Sequence, residues 1–335
     1  MSGMIPEASK GLPQDLMIGN LKISPPLTLA PMENITDLPF RQLVRTIGGC
    51  PLMFTEFVPS KSLNHGDERA LRAAHFLPHE RPIAVQVYGK EPDELAAAAA
   101  KVEQMGASIV DLNMGCPSKR VSRRSGGVGL MREPKLAQEI VRKMRAAVTI
   151  PLTVKMRAGW DASSRNAVDL AKICAGEGAE MLTVHWRTKE DRYGGDRDLS
   201  IISKVVESVD IPVLGNGDIV DVESAFSTMR ETGCAGLMIG RGAVRNPWIF
   251  HEISAALRGG SAPDVEESSR ARLLLNYLDE IIPGFGTRTG ALGRFKKIAR
   301  YFALGAVNGK QLQYDILHSA TIEEAQDVVC RHFGL

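Results

Sequence analysis

The stretch Ile109-Val110-Asp111-Leu112-Asn113-Met114-Gly115 is a short run of mostly apolar residues, and Cys116-Pro117 ends it abruptly. A nearly continuous apolar run of this length fits a parallel strand covered on both faces. Seven similar runs lie along the chain: Leu27–Met32, Leu52–Phe57, Ile83–Gly89, Leu152–Gly159, Met181–Arg187, Val213–Ile219 and Gly236–Gly242. Segments with helical periodicity separate most of them, as in Glu91–Met105, Pro134–Ala147 and Asn166–Gly176. Eight strands alternating with helices predict an α/β fold, a (β/α)8 TIM barrel. Three runs follow a proline (Arg81-Pro82, Ile150-Pro151, Ile211-Pro212), where no interior ladder bond is lost. A doubly wound sheet is the competing topology, but no Gly-x-Gly-x-x-Gly follows the first run.

Gly259-Gly260-Ser261-Ala262-Pro263-Asp264 reads as a linker. It divides the chain into a lead-in (1–20), a barrel (21–258) and a C-terminal helical domain (266–335). A length of 335 residues with 44% hydrophobic residues supports a large core, filled by aliphatic residues because only 5% are aromatic. The formal charge of +2 is close to neutral, so any affinity for nucleic acid has to come from local clusters. The five cysteines are scattered, with no Cys-x-x-Cys pair. They predict reduced thiols in a cytoplasmic protein, with neither a disulfide framework nor a metal site. The first fifteen residues lack an apolar or basic leader, and no long apolar stretch predicts a membrane span. Nothing predicts an obligate protein partner.

Functional groups of such barrels come from the carboxyl ends of the strands. The polar residues there are Glu33, Glu56, Gln86, Asn113, Cys116, Lys155, Arg157, His185, Asn216, Asp218 and Arg241. Gly215-Asn216-Gly217-Asp218 and Gly240-Arg241-Gly242 end the seventh and eighth runs, where loops often bind phosphate. The plainer reading is two tight turns. Lys155 is either a cation against an electron-rich cofactor edge, a partner of Asp111 or Glu56, or a Schiff-base lysine. His185 is either a donor to a phosphate or carbonyl or a structural histidine. Cys116 is either a buried small hydrophobe or a thiol presented to the barrel mouth; its place between Gly115 and Pro117 favours presentation.

Two basic clusters stand out. Lys119, Arg120, Arg123 and Arg124 follow the cysteine. Arg294, Lys296, Lys297 and Arg300 alternate with Phe295, Ile298 and Phe302 in an amphipathic pattern. Each alone is a solvated surface; together, on a neutral chain, they predict contacts to a nucleic-acid backbone.

The ordered set Leu29-Ala30-Pro31-Met32, Ala84-Val85-Gln86-Val87-Tyr88-Gly89, Leu112-Asn113-Met114-Gly115-Cys116-Pro117, Val154-Lys155-Met156-Arg157, Gly215-Asn216-Gly217-Asp218 and Ile239-Gly240-Arg241-Gly242 resembles the tRNA-dihydrouridine synthases. The resemblance implies an FMN barrel joined to a helical tRNA-binding domain, with NADPH as reductant. It implies flavin contacts at Pro31, Met32, Glu33, Gln86, Lys155, His185, Asn216, Gly217, Asp218, Gly240 and Arg241. Asn113 and Arg157 fall near the uracil or the flavin, and Cys116 falls on the proton donor. The implied chemistry adds a hydride from flavin N5 to uracil C6 and a proton from Cys116 to C5. A cysteine with its ordinary pKa of about 8.5 is mostly thiol at neutral pH and can give that proton. Where the family tends to show Gly-Ala patterns after the cysteine, this chain has Ser125-Gly126-Gly127-Val128-Gly129. Two other functions compete: a flavin barrel acting on a free pyrimidine, as in dihydroorotate dehydrogenases, and a non-catalytic RNA-binding protein.

Overall fold

The computed structural model describes residues 9–118, 121, 126–192, 194–284 and 287–335. The eight apolar runs are eight parallel strands: β1 Leu27–Leu29, β2 Leu52–Phe54, β3 Ile83–Tyr88, β4 Ile109–Met114, β5 Leu152–Arg157, β6 Met181–His185, β7 Val213–Asn216 and β8 Gly236–Ile239. Each pairs with its neighbours in sequence, β8 pairs with β1, and β2 pairs with β3, so the sheet closes on itself. Closure removes the unpaired edges that an open sheet would expose. The second run is shorter than its sequence suggests. It breaks after Phe54, and Val58–Pro59 forms a separate short strand on the far end of β3.

Strand parity decides what the barrel presents. On β4, Val110, Leu112 and Met114 belong to the large core shared with the surrounding helices, while Ile109 belongs to a second core inside the barrel. The intervening positions Asp111 and Asn113 share the inward side of Ile109, because side chains alternate along a strand. The same parity sends Gln86 on β3, Thr153 and Lys155 on β5, and Thr183 and His185 on β6 inward. On β3, β4, β6 and β7 the inward residues are thus apolar at the amino end (Ala84, Ile109, Met181, Leu214) and polar toward the carboxyl end (Gln86, Asn113, His185, Asn216).

The apolar floor is completed from outside the barrel strands. An antiparallel hairpin, Leu16–Ile18 with Leu21–Ile23, places Leu16, Ile18 and Ile23 in one buried cluster with Leu52, Phe54, Ala84, Ile109, Met181, Leu214 and Met238. This hairpin, whose first strand falls within residues 1–20 and whose second falls within the barrel segment, closes the barrel bottom.

After the last barrel helix (Ile249–Leu257), four α-helices follow: Glu267–Ile281, Arg288–Phe302, Gly309–His318 and Ile322–Phe333. The first two pack back on the barrel. Phe40 meets Tyr277 edge-on at 6.4 Å, and Trp248 meets Phe302 at 6.5 Å. Among the described residues, no helix is long and apolar enough to cross a membrane.

Candidate active site

Cys116 begins the loop after β4, and side chains from three strands hold that loop. Asn113 Oδ1 accepts from the backbone amides of Gly115 (3.0 Å) and Cys116 (2.9 Å). Asn113 Nδ2 donates to Gln86 Oε1 at 2.7 Å, and Gln86 Nε2 donates to Asp111 Oδ2 at 2.6 Å. Thr153 donates to the other carboxyl oxygen of Asp111 at 2.5 Å. The ladder register sets this chain, since Gln86 lies opposite Asp111 and Asp111 opposite Thr153. Arg157 grips the loop from its other side, with Nε donating to Gly115 O at 2.9 Å and Nη1 to Thr188 O at 2.8 Å. Val128 N donates to Cys116 O at 3.2 Å. Burial pushes the Asp111 carboxyl up to about 6, even though Thr153, Gln86 and Lys155 favour its charged form.

A cationic group occupies the mouth above. Lys155, half-buried at the centre of β5, donates to Asn216 Oδ1 at 2.8 Å, and Asn216 in turn donates to Met238 O at 2.7 Å. Burial, followed by the charge of Arg157, lowers Lys155 to about 7; Asp111 and Cys116 partly offset this. His185 is held well below its ordinary value by burial and by Lys155, Arg157, Arg187 and Arg241. Its Nδ1 accepts from Arg187 N at 3.1 Å, so the neutral ring carries its proton on Nε2.

The loop after β7 closes the other side. Asp218, in the left-handed region at φ 54°, takes both guanidinium nitrogens of Arg187 (2.9 and 2.6 Å) and one from Arg241 (3.2 Å). Arg187 lies over the Trp186 ring at 4.0 Å and also donates to Gly194 O. Gly217 has φ 117°, and a Cβ there would stand 2.6 Å from Trp186 Nε1, so no other residue fits without displacement. Trp186 Nε1 is buried and, among the described residues, has no hydrogen-bond partner beside this glycine. Arg241 opens a short helix, Arg241–Arg245, directly after β8.

The remaining sequence candidates fall into three groups. Pro31, Met32 and Glu33 line the loop after β1, where Thr36 Oγ1 accepts from Met32 N at 2.9 Å. Gly240 adjoins it, since a Cβ on Gly240 would lie 3.5 Å from Met32 Sδ. Glu33 belongs with Asp37 and Glu56 to an acidic group that Arg294 enters from the helical region, at 3.4 Å from each of Asp37 and Glu56. Lys296 caps the end of the Gly309–His318 helix through Leu317 O and Ser319 O (3.0 and 2.5 Å). Lys297 and Arg300 are exposed. Lys119, Arg120, Arg123 and Arg124 lie outside the described residues.

Arg187 is not among the strand-end residues that the sequence singles out, although it shares the inward parity of Thr183 and His185. Asp111, which the sequence offers only as a possible partner for Lys155, bonds to Gln86 and Thr153. Parity counted one step beyond the end of β6 is the signal that finds Arg187, and the same parity picks out Arg157 as the last residue of β5.

A family model described as dihydrouridine synthase matches residues 28–332, spanning the barrel and the helices after it. The chain is 39% identical over 280 residues to a "Probable tRNA-dihydrouridine synthase" of Rickettsia prowazekii, covering 82% of this chain and 84% of that protein. It is 38% identical over 288 residues to tRNA-dihydrouridine synthase B of Pseudomonas syringae pv. tomato, covering 85% of each. Against the protein of that name from Pseudomonas aeruginosa it is 38% identical over 291 residues, covering 85% and 86%.

Proposed function

The chain belongs to the dihydrouridine synthase family and is an enzyme of tRNA uridine reduction, and from that premise we propose that FMN works in the barrel mouth, NADPH reloads it and Cys116 supplies the proton. The observation that carries this reading is the gathering of Lys155, Arg157, Arg187 and Arg241 around His185. Asp218 bonds to two of these cations, Arg187 and Arg241, and Asp111 sits below the group with a raised pKa. Such a group favours an anionic ligand, and a flavin mononucleotide carries both a phosphate and a polar ring edge. The tight approach at Gly217 and the buried Trp186 Nε1, without a partner among the described residues, fit a ligand passing the β7 loop.

In this reading Gly217, Asp218, Gly240 and Arg241 hold the phosphate, as loops after the seventh and eighth strands do in many barrels. Lys155, Asn216, Gln86 and His185 address the ring, and Pro31, Met32 and Glu33 flank it. Bound FMN supplies the hydride that enters uracil C6. Lys155 would place a positive charge against the edge of the bound ring, favouring negative charge there. Cys116 holds a proton for C5, while Asn113 and Arg157 fix its loop beneath the base. A uridine inside folded RNA has to be extruded to reach this pocket. Lys119, Arg120, Arg123, Arg124, Lys297 and Arg300 hold the backbone while the base is out. Arg294 and Lys296, engaged within the chain, shape the face that carries them. The scattered free thiols suit a cytoplasmic setting.

The test is Cys116→Ala. The expected product is a yellow protein whose dihydrouridine formation in tRNA falls by about 10²–10⁴, the usual worth of a positioned acid. An unchanged rate removes the acid assignment. Wild-type protein without flavin absorbance removes the cofactor assignment.

A further inference from the structure

We propose that Asp111 is a positioning residue for the proton-donating loop: it fixes the amide orientation of Gln86, and through Gln86 that of Asn113, whose oxygen holds the Gly115 and Cys116 amides. This rests on the reading of Cys116 as the acid.

The orientation follows from the two ends of the chain. Backbone N–H groups only donate, so the Asn113 atom facing Gly115 N and Cys116 N is an oxygen. Its Nδ2 therefore points the other way and needs an acceptor, which Gln86 Oε1 provides. Gln86 Nε2 then needs an acceptor of its own, and Asp111 Oδ2 is that atom. Asp111 and Gln86 are fully buried, and Asn113 is 5% exposed. Buried polar groups of this kind are strongly selected to stay paired. The Cys116 loop thus hangs between Asn113 on its amide side and Arg157 and Val128 on its carbonyl side.

Removing the acceptor at position 111 leaves a buried N–H without a partner. The Gln86 amide relieves this by turning, which sets its N–H against Asn113 Nδ2. Asn113 must then turn as well, and its nitrogen meets two backbone donors. The end result is a released Gly115–Cys116 segment. Asp111→Asn avoids this outcome, because its carbonyl still accepts from Gln86 while its amide nitrogen donates to Thr153 Oγ1. Asp111→Leu keeps the branched four-atom shape but has no acceptor.

The full chain, purified with its cofactor, tests this through three readouts: reduction by NADPH, single-turnover reoxidation by unmodified tRNA, and iodoacetamide alkylation of Cys116 followed by peptide mass spectrometry. Asp111→Leu is expected to slow tRNA-dependent reoxidation about tenfold or more, since an ångström-scale misplacement costs that much or more. It is also expected to speed Cys116 alkylation by roughly fivefold, because local opening governs access to the loop. Reoxidation is read per bound flavin, so that a loss of cofactor, which Gln86 also contacts in the proposed reading, does not count as slowing; Asp111→Asn stays within about threefold of wild type in every readout. Equal slowing in both variants assigns the effect to charge and overturns the proposal. Wild-type reoxidation and alkylation in Asp111→Leu also overturn it. If Asp111→Leu does not fold, Gln86→Met breaks the same chain, and unchanged Cys116 alkylation there is the overturning result. Full turnover in Cys116→Ala would remove the acid reading alone, because alkylation still reports whether Asp111 positions the loop.

Discussion

Lys155 stands where burial and neighbouring charge act together against a cation. Its lowered value of about 7, against 10.5 for a free lysine, means that the flavin-free fold binds fewer protons there than the unfolded chain does between those two pH values. The stability lost to Lys155 is therefore greatest below pH 7 and is recovered as the pH rises toward 10.5. A Lys155→Met variant without flavin should melt at a higher temperature than wild type near pH 6.5, and the advantage should shrink as the pH is raised. An advantage that does not vary with pH would show that Lys155 is not desolvated as described. The same variant should bind FMN at least tenfold more weakly, because a charge facing an anionic ligand is worth about 1.4 kcal/mol or more. Lys155 and Cys116 are legible in the sequence because one is a cation inside an apolar run and the other follows such a run between Gly115 and Pro117. Arg187 and the Asp111–Gln86–Asn113 chain are not, because their roles depend on cross-strand register, which a linear reading does not supply. Register brings Gln86 to Asp111 across 25 residues, and Arg187 to Asp218 across 31.

At the scale of the element, the eight strands could be read because their apolar runs are continuous, and continuity follows from burial on both faces. The N-terminal hairpin could not. Its strands are three residues each, too short for any periodicity, and Met17 and Lys22 turn outward between the buried residues. Yet Ile18 is fully buried in the barrel floor with Ile109, Met181 and Leu214. Cutting it to alanine opens a cavity where strands from around the barrel converge. Ile18→Ala should cost about 2–4 kcal/mol in urea unfolding, the usual range for a large aliphatic residue in a closed core. A loss of only a few tenths would mean that the hairpin does not hold the barrel floor together. The active-site chain lies above this floor, so loss of stability should precede any loss of turnover at permissive temperature.

For the whole molecule, the decisive fact is that the basic helix Arg288–Phe302 divides its charges. The amphipathic pattern was legible, but which cations face inward was not, because the carboxylates they meet lie more than two hundred residues earlier. Arg294 meets Asp37 and Glu56 at the barrel mouth, and Tyr277 donates to Asp37 at 3.4 Å. Lys297 and Arg300 face solvent on a chain whose formal charge is only +2. Two different outcomes are expected from one helix. Lys297→Ala with Arg300→Ala should leave the melting temperature unchanged and should lower the salt dependence of tRNA binding by about one for each phosphate that is no longer neutralised. Arg294→Met should destabilise the fold, because it leaves two buried carboxyls without their cation. Burial already raises both carboxyls, and Arg294 is the main cation opposing that rise. Without it they rise further, so protonation relieves the variant and its deficit in melting temperature should be larger at pH 7.5 than at pH 5.5. Thermal melts of both proteins at the two pH values decide this. A deficit that does not change with pH, or a fall in the salt dependence of tRNA binding matching that of the exposed pair, would place Arg294 among the RNA-facing cations instead of between the helices and the barrel.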